Sequence, residues 1–288
     1  MEVQISFSPI IESDVCRTAV VMAAKRAIET ERPDRLFDDP FAAQLAGDTA
    51  INLQKEWLKK TQDSGSQLKA QFVAIRTKYF DDFIMEVMSK IHQVVFLGSG
   101  LDTRAYRLSF PPETQLYEID LPEIIDYKQE ILKEIPPKCR YHTIATDLKQ
   151  PWSHLLLQHG YQSNFPTVWL LEGLLMYLDE TSVHQLLSII SELSPTGSYL
   201  GADLVSVKSW QIGSQNSKAV ISGHWRFGTD EPEELFATYG WETSVIQPGD
   251  LRANYGRYTV ELAPRAISGQ RRSYLVVGEK KENSLVTG

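Results

Sequence analysis

The sequence predicts an α/β fold with a doubly wound sheet, and three features carry that prediction. An apolar strand at 94–97 runs directly into Gly98-Ser99-Gly100 and then into a helix. Beyond residue 115, short apolar runs alternate with amphipathic stretches at the spacing of βαβ units. Before the glycine turn, about ninety residues repeat at helical periodicity, which predicts an N-terminal helical cap.

The composition describes an ordinary globular protein. Its 288 residues are 42% hydrophobic and carry a formal charge of −8, with no run of like charge. A nucleic-acid binder usually carries a basic face, so we expect no nucleic-acid partner. The longest apolar stretch, 165–178, is too short to span a bilayer and is interrupted by Glu172, so no membrane partner is expected.

The two cysteines and the chain start suggest a reducing compartment. Cys16 and Cys139 are far apart and form no Cys-x-x-Cys pair, which predicts neither a zinc site nor a disulfide framework. Residues 1–12 contain no Lys or Arg and resemble a mobile arm rather than a targeting segment. We therefore expect a cytoplasmic protein.

The elements are predicted as follows. Helical periodicity and caps predict four N-terminal helices at 14–28, 40–47, 51–60 and 67–91, with a loop at 62–66. After the glycine turn, strands are predicted at 115–119, 141–145, 167–171 and 198–204, separated by helices at 123–134, 152–158 and 181–193. The Gly- and Ser-rich segment 210–228 is predicted to be a long functional loop, followed by a helix at 231–239, the segment 241–246, and late strands at 258–263 and 273–277.

We expect one domain with four parts. These are a helical cap over 1–91, a cofactor-binding core over 92–205, a substrate lid over 206–257, and closing strands with a tail over 258–288.

The glycine turn matches only part of the dinucleotide fingerprint. Gly98 and Gly100 let the backbone approach a ligand, but Thr103 stands where the third glycine would be. That glycine permits close packing beneath a pyrophosphate, so a cofactor without phosphate fits better. The alternative is a tight turn that holds no ligand.

Acidic residues follow the next strands. Asp120 ends the second strand about twenty residues beyond the glycines, where a carboxylate can accept hydrogen bonds from ribose hydroxyls. Glu118 is the competing candidate for the ribose contact. Either acid could instead cap the following helix. Asp147-Leu148 suits an adenine, with a helix cap as the alternative. Glu172 lies inside an apolar run and needs a partner, either a cationic cofactor or an internal ion pair with a residue such as Arg104.

Taken together, these segments resemble the leucine carboxyl methyltransferase family, in particular its bacterial and polyketide O-methyltransferase branch. The resemblance extends from about Thr18 to Arg257. The matching segments are Arg76-Thr77, Leu97-Gly98-Ser99-Gly100-Leu101-Asp102-Thr103-Arg104, Tyr117-Glu118-Ile119-Asp120-Leu121-Pro122, Asp147-Leu148 and Glu172-Gly173-Leu174-Leu175-Met176-Tyr177-Leu178.

The resemblance implies a seven-stranded Rossmann-like methyltransferase sheet and S-adenosylmethionine as the cofactor. By position, Gly98 and Gly100 would form the cradle and Asp120 would bind the ribose. Asp147 and Leu148 would hold the adenine end. At the methionine end, Arg76 would bind the carboxylate and Glu172 would lie near the amine. Arg17, which matches the family less closely, would be a second contact to the carboxylate.

The acceptor is expected to be a small metabolite, polyketide-like or aromatic, methylated at a carboxylate or hydroxyl oxygen. The activated methyl group needs chiefly an aligned nucleophile and the exclusion of water, and no ligand cluster predicts a metal. Tyr177 is a candidate for orienting the acceptor and His224 for a general base, each with a structural alternative. Arg226, Tyr255 and Arg257 are candidate acceptor contacts.

Other functions stay open at this point. Methylation of a protein C-terminal carboxyl group is the activity of the eukaryotic branch. A Rossmann oxidoreductase is less favoured, because no tyrosine has a lysine four positions later and the third glycine is missing. An inactive cofactor-binding protein is the remaining alternative.

Overall fold

A computed structural model describes residues 14–60, 64–216, 219–259 and 262–282. In this part of the chain a seven-stranded sheet has the order β3-β2-β1-β4-β5-β7-β6. The strands are β1 (Gln93–Leu97), β2 (Gln115–Asp120), β3 (Arg140–Ala145), β4 (Val168–Leu171), β5 (Tyr199–Val205), β6 (Trp241–Ile246) and β7 (Ser273–Lys280). Strands β1 to β5 pair in parallel, and β7 pairs antiparallel with both β5 and β6. The sheet is therefore mixed, with the antiparallel part confined to its last strands.

The described helices comprise a cap and a set of crossovers. The cap consists of α1 (Asp14–Thr30), α2 (Ala42–Lys60) and α3 (Ser64–Val87). The remaining helices are α4 (Arg104–Arg107), α5 (Pro122–Leu132), α6 (Ser153–Gln158), α7 (Glu180–Glu192), α8 (Val207–Ser214) and α9 (Pro232–Ala237). Short 3-10 turns cover Leu175–Tyr177 and Ser222–His224.

Both faces of the sheet are buried. Apolar residues of the cap helices pack with Val94 and Phe96 on one face, whereas α6 and α7 pack with Val95 and Leu97 on the other. All five residues of β1 are buried, which explains why its sequence is a continuous apolar run rather than an alternating one. The chain order reverses beside β1, which lies between β2 and β4. Open α/β sheets bind their ligands at such a point, beyond the carboxyl ends of the strands.

Two predicted elements after β5 differ from the structure. The predicted strand at 258–263 is wrong for 258, 259, 262 and 263, and residues 260 and 261 lie outside the described residues. Tyr258 instead packs against the cap-side core, and its N–H donates to the carbonyl of Asn254 at 2.9 Å. The predicted loop at 210–228 holds the second half of α8 and a 3-10 turn, since Ser206 caps α8 by accepting from the Ser209 N–H.

Smaller differences concern the cap. Two predicted helices join as α2 with a break at Gly47, whose φ of 72° is accessible to glycine. The predicted loop at 62–66 is helical at 64–66, with 61–63 outside the described residues, as is the predicted arm at 1–12. Within the described residues, no helix is both long and apolar enough to cross a membrane.

Candidate active site

The glycine turn forms a cradle at the carboxyl end of β1. Gly98 and Gly100 have positive φ angles of 62° and 54°. A Cβ atom on Gly98 would lie 2.8 Å from Leu174 Cδ1, and one on Gly100 would lie 3.6 Å from Ala19 Cβ. The positions therefore require glycine for backbone conformation, and at Gly98 for space as well.

Asp120 lies at the tip of β2 and contacts this turn. Its Oδ2 accepts the Gly100 N–H at 2.5 Å, and its Oδ1 accepts the Leu121 N–H at 2.7 Å. Burial raises the pKa of Asp120, although both backbone N–H groups oppose the rise. Each oxygen of an ionised carboxylate retains a further lone pair, so Asp120 can still accept from a ligand hydroxyl.

Glu118, the competitor of Asp120, is an interior residue. Its Oε2 lies 2.5 Å from Lys128 Nζ and accepts the Tyr141 hydroxyl at 2.8 Å. Both Glu118 and Lys128 are fully buried. The strand tip, rather than the strand interior, thus provides the acid of the candidate site.

Arg76, Glu172 and Asp203 meet where β4 and β5 end. Arg76 Nε lies 2.8 Å from Glu172 Oε1, and its Nη1 lies 2.8 Å from Asp203 Oδ2. Asp203 Oδ1 also accepts the Gly173 N–H at 2.5 Å, which fixes the backbone directly after Glu172. Sequence reasoning did not identify Asp203, because nothing in the local pattern Leu200–Val205 shows that its carboxylate faces Arg76, 127 residues earlier.

A second guanidinium extends this cluster. Arg104 Nη1 lies 2.8 Å from Glu172 Oε2, so the expected internal pair exists alongside the pair with Arg76. Arg104 also contacts Asp81 and Asp102. Arg107 completes the cluster through Asp81.

The connected cluster holds four carboxylates and three guanidiniums. Its members are Asp81, Asp102, Glu172, Asp203, Arg76, Arg104 and Arg107. With all seven groups ionised, it carries one net negative charge. Burial opposes the ionisation of Glu172, but Arg104 and Arg76 outweigh burial and lower its pKa.

Helix α1 lies over this edge of the sheet. Ala19 is the nearest neighbour that a methyl group placed on Gly100 would meet, and Met22 Sδ lies 3.9 Å from Arg76 Nη2. Arg17 is half-buried on the same helix. Helix α1 therefore lies against both Gly100 and Arg76, and it also carries Arg17.

Asp147 and Leu148 follow β3, next to the β2 tip. Asp147 Oδ1 accepts the Lys149 N–H at 2.9 Å, so the carboxylate closes its own turn. It caps no helix, because α6 begins only at Ser153 with Trp152 at its N-cap position, and the alternative of a helix cap is wrong. Leu148 is half-buried against the second core cluster. Neither residue contacts the ion cluster, and their adenine role stays a prediction.

Tyr177 connects the β4 edge to the segment 206–257, the predicted lid. Burial raises its pKa to about 12, with the side chains of Trp225 and Thr18 beside it and Arg76 lowering it in part. The Arg226 N–H donates to the Met176 carbonyl at 2.7 Å. His224 is half-buried in the lid turn, whereas the Arg226 side chain is exposed.

The structure places Tyr255 and Arg257 outside the ion cluster. The Tyr255 hydroxyl donates to Asp82 Oδ2 at 3.1 Å on α3. Arg257 forms a bidentate pair with Glu29 on α1, at 2.5 Å and 2.9 Å. Their predicted contacts with an acceptor remain untested, and Arg257 faces a different cavity, which lies among the cap helices.

Comparison with known proteins gives the family. A family model described as leucine carboxyl methyltransferase matches residues 19–191, more than half of the 288-residue chain. The chain belongs to this family. A candidate S-adenosyl-L-methionine-dependent methyltransferase of Mycobacterium sp. (strain KMS) is 33% identical over 273 residues, covering 86% of this chain and 89% of the relative. A similarly named protein of Streptomyces avermitilis is 36% identical over 254 residues, covering 85% of this chain and 89% of the relative.

Solved structures agree on the fold. A methyltransferase-like crystal structure from Thermobifida fusca superposes with a TM-score of 0.59 at 18% identity, covering 91% of this chain and 94% of that one. A DUF574 family protein from Streptomyces avermitilis superposes with a TM-score of 0.60 at 15% identity, covering 91% of this chain and 97% of that one. The predicted seven-stranded, Rossmann-like methyltransferase fold is confirmed.

The residues present fit a cofactor that carries positive charge. S-adenosylmethionine has a sulfonium, an ammonium and a carboxylate, hence one net positive charge at neutral pH, which is the complement of the ion cluster. Arg76 uses Nε and Nη1 for Glu172 and Asp203, while its Nη2 contacts the Met22 thioether and has donor capacity left for a carboxylate. A pyrophosphate would instead meet unfavourable charge from Glu172 and Asp203.

Among the described residues, no group of three or more His, Cys, Asp or Glu side chains is arranged to hold a metal ion.

Proposed function

We propose that this S-adenosylmethionine-dependent methyltransferase methylates a carboxylate or hydroxyl oxygen of a small metabolite of aromatic or polyketide-like character. S-adenosylmethionine is its cofactor, since the family, the relatives and the charge of the site agree on it. The oxygen acceptor is supported by the family description, which names a carboxyl group as the methylated group, and the small acceptor by the proposed lid, whose backbone is bonded to the edge of β4. Through the Arg226 N–H and through Thr18 Oγ1, which donates to the Val220 carbonyl at 3.1 Å, the lid contacts both the sheet edge and α1.

The donor end of the site would be held by residues of the sheet edge. Gly98 and Gly100 would allow close backbone approach, and Asp120 would accept the ribose hydroxyls. Asp147 and Leu148 would contact the adenine. Glu172 would attract the ammonium, and Arg76, with Arg17, would bind the carboxylate. When bound, the cofactor supplies a methyl group activated by its positively charged sulfur.

The chain's own task is then to align the acceptor and to exclude water. Transfer in line requires the acceptor oxygen to approach the methyl carbon at close range, which a fixed lid favours. A covered site suits a small molecule better than a folded protein. The carboxyl group named in the family's description is already ionised and needs no base, whereas a phenol or alcohol benefits from one.

Tyr177 and His224 would have different roles toward the acceptor. With its pKa raised to about 12, the Tyr177 phenol keeps its proton at neutral pH and serves as a hydrogen-bond donor that orients the acceptor. His224, on the lid, is the candidate general base for a hydroxyl acceptor. Arg226 has an exposed side chain on the same segment and would attract an anionic acceptor at the entrance.

The test is methyl transfer measured with radiolabelled S-adenosylmethionine across matched carboxylic acids, phenols and alcohols, alongside a peptide ending in leucine. Transfer to a small carboxylate or hydroxyl supports the proposal. Transfer to the peptide alone would favour protein carboxyl methylation, and cofactor binding without any transfer would favour an inactive binder. Exclusive transfer to nitrogen or carbon would contradict the oxygen acceptor.

A further inference from the structure

A second cavity lies within the helical cap, apart from the glycine cradle. Its volume is about 450 Å³, within the range of small-molecule pockets. Residues of α1, α2 and α3 line it, together with Arg257 from the segment after β6. None of the contacts described for Gly98, Gly100 or Asp120 reaches it.

The charged lining of the cavity is mostly cationic. Lys25, Arg32 and Arg257 contribute three positive charges, and Glu29 is the only carboxylate among the described lining residues. Glu29 is already engaged by both terminal nitrogens of Arg257, and its Oε1 also accepts the Leu36 N–H at 2.8 Å. The described lining therefore carries two net positive charges.

Lys25 differs from the two arginines because it has no anionic partner in the described part of the chain. Among the described residues, no carboxylate lies within 4.0 Å of its Nζ. Arg32, in contrast, pairs with Asp34 at 2.9 Å. An ammonium group placed in a cavity without a counter-ion is a site for an anion.

Two further polar atoms of the lining are buried without a hydrogen-bond partner in the described part of the chain. They are Arg257 Nε and Gln71 Oε1. A buried polar group left without a partner costs free energy, which a ligand that pairs with it recovers. Arg257 Nε and Lys25 Nζ are both donors that suit a ligand carboxylate, and the Gln71 amide can turn either its oxygen or its NH₂ toward a ligand.

The protonation of Lys25 reflects the same environment. Burial, with repulsion from Arg76, lowers its pKa to about 8. The charged groups facing it are Glu29 and Arg32 from α1, Arg76 from α3, and Arg257, whereas α2 contributes only uncharged residues to the cavity. A bound anion would favour the protonated ammonium, so binding should be accompanied by proton uptake near pH 8.

The remaining walls are apolar. Ile28 on α1, Leu58 and Trp57 on α2, and Ala74 on α3 face the same space. A ligand for this cavity thus needs an anionic end for Lys25 and Arg257 and a hydrocarbon or aromatic body for these walls. Inorganic anions would leave the apolar walls without contacts.

We propose that the cavity between α1, α2 and α3 is a binding site for a small organic carboxylate, with Lys25 and Arg257 Nε as its donors and Trp57 and Leu58 against its carbon body. The cavity lining does not include Gly98, Gly100 or Asp120, and we therefore expect the carboxylate and the cofactor to bind at the same time. This proposal does not depend on the identity of the methyl acceptor.

The proposal is tested by calorimetric titration of the full chain with acetate, benzoate, 2-naphthoate and octanoate, each compared with its amide, at pH 7 and with or without saturating S-adenosylmethionine. We expect the larger carboxylates, and not their amides, to bind, with 2-naphthoate or octanoate binding more tightly than acetate. Lys25→Met should weaken binding by about tenfold or more, while Lys25→Arg should retain most of it.

The control is Lys133→Met, which removes an exposed lysine on the surface near α5 and should leave binding unchanged. Thermal unfolding of each variant checks folding, and the cofactor affinity of Lys25→Met should equal that of the native chain. Equal binding of acids and amides, unchanged binding by Lys25→Met, or loss of carboxylate binding when the cofactor is present would overturn the proposal.

Discussion

Glu172 offers the most direct probe of the buried ion cluster. Glu172→Gln keeps the shape of the side chain but removes its charge, and the amide NH₂ must then face Arg76 or Arg104, which are themselves donors. In the native chain both carboxylate oxygens lie 2.8 Å from a guanidinium nitrogen. The variant therefore loses two buried ion pairs at once.

The magnitude follows from what each arginine retains. Removing one partner of a buried pair typically costs about 3–5 kcal/mol. Arg76 keeps Asp203, and Arg104 keeps Asp81 and Asp102, so neither guanidinium is left uncompensated. We expect a loss near the lower end of that range, about 3 kcal/mol in the free energy of unfolding.

The stability that the variant loses should depend on pH in a defined direction. Because the pKa of Glu172 is lower in the folded chain than in the unfolded chain, its ionised form stabilises the fold at pH values above its unfolded pKa. This contribution is lost as pH falls through the lowered folded pKa. The stability difference between native chain and variant should thus be largest near neutral pH and shrink in acid.

The assay is urea unfolding followed by circular dichroism, from pH 7 down to the lowest pH at which both chains fold. Glu192→Gln, at an exposed position on α7, is the matched control and should change stability by less than about 0.5 kcal/mol. A Glu172→Gln loss as small as that of the control at pH 7, or one that stays constant with pH, would refute the ion-pair argument.

Three further predictions concern the cofactor and acceptor ends. Gly98→Ala should lower the free energy of unfolding in urea by about 2–3 kcal/mol and weaken S-adenosylmethionine binding at least tenfold. The control is Gly269→Ala, at a glycine with a similar φ of 69° but open space around it. This control should lose only about 1–2 kcal/mol of stability and bind the cofactor normally. Asp203→Asn should raise the cofactor Kd by about tenfold by misplacing Arg76, and an unchanged Kd in calorimetry would exclude that positioning role. Tyr177→Phe should lower kcat for the best acceptor by about tenfold with little change in cofactor Kd, and a lowered cofactor affinity with intact kcat would assign the phenol to the cofactor instead.

The fold was largely predictable because its signals are local. Short apolar runs between helical stretches predicted β1 to β5, and the glycine turn predicted the edge of the sheet at which a ligand would bind. The late part of the sheet was less predictable. Alternation at 258–263 suggested a strand, but β7 is paired on both sides by β5 and β6, and Tyr258 packs against the cap instead. Strand pairing is a tertiary choice that alternation does not determine.

The candidate site shows the same difference between residues with a local sequence signal and residues defined by distant contacts. Asp120 was identifiable because it ends a strand beside the glycines, and the structure places its carboxylate on the Gly100 N–H. Asp203 was not, since its partner Arg76 is distant in sequence and the surrounding pattern is that of a buried strand. The pairing of Arg257 with Glu29 was not predictable either, because it is a contact between segments more than 200 residues apart that no local pattern indicates.

The central claim is that S-adenosylmethionine binds at the carboxyl edge of β1 and β2, with Asp120 on its ribose. The most direct measurement is calorimetric titration of the native chain, Asp120→Asn and Asp126→Asn, the last at an exposed position on α5. The account predicts saturable binding by the native chain and Asp126→Asn, and affinity at least about tenfold weaker for Asp120→Asn. Binding of NADH in place of S-adenosylmethionine, or undiminished binding by a folded Asp120→Asn chain, would contradict it.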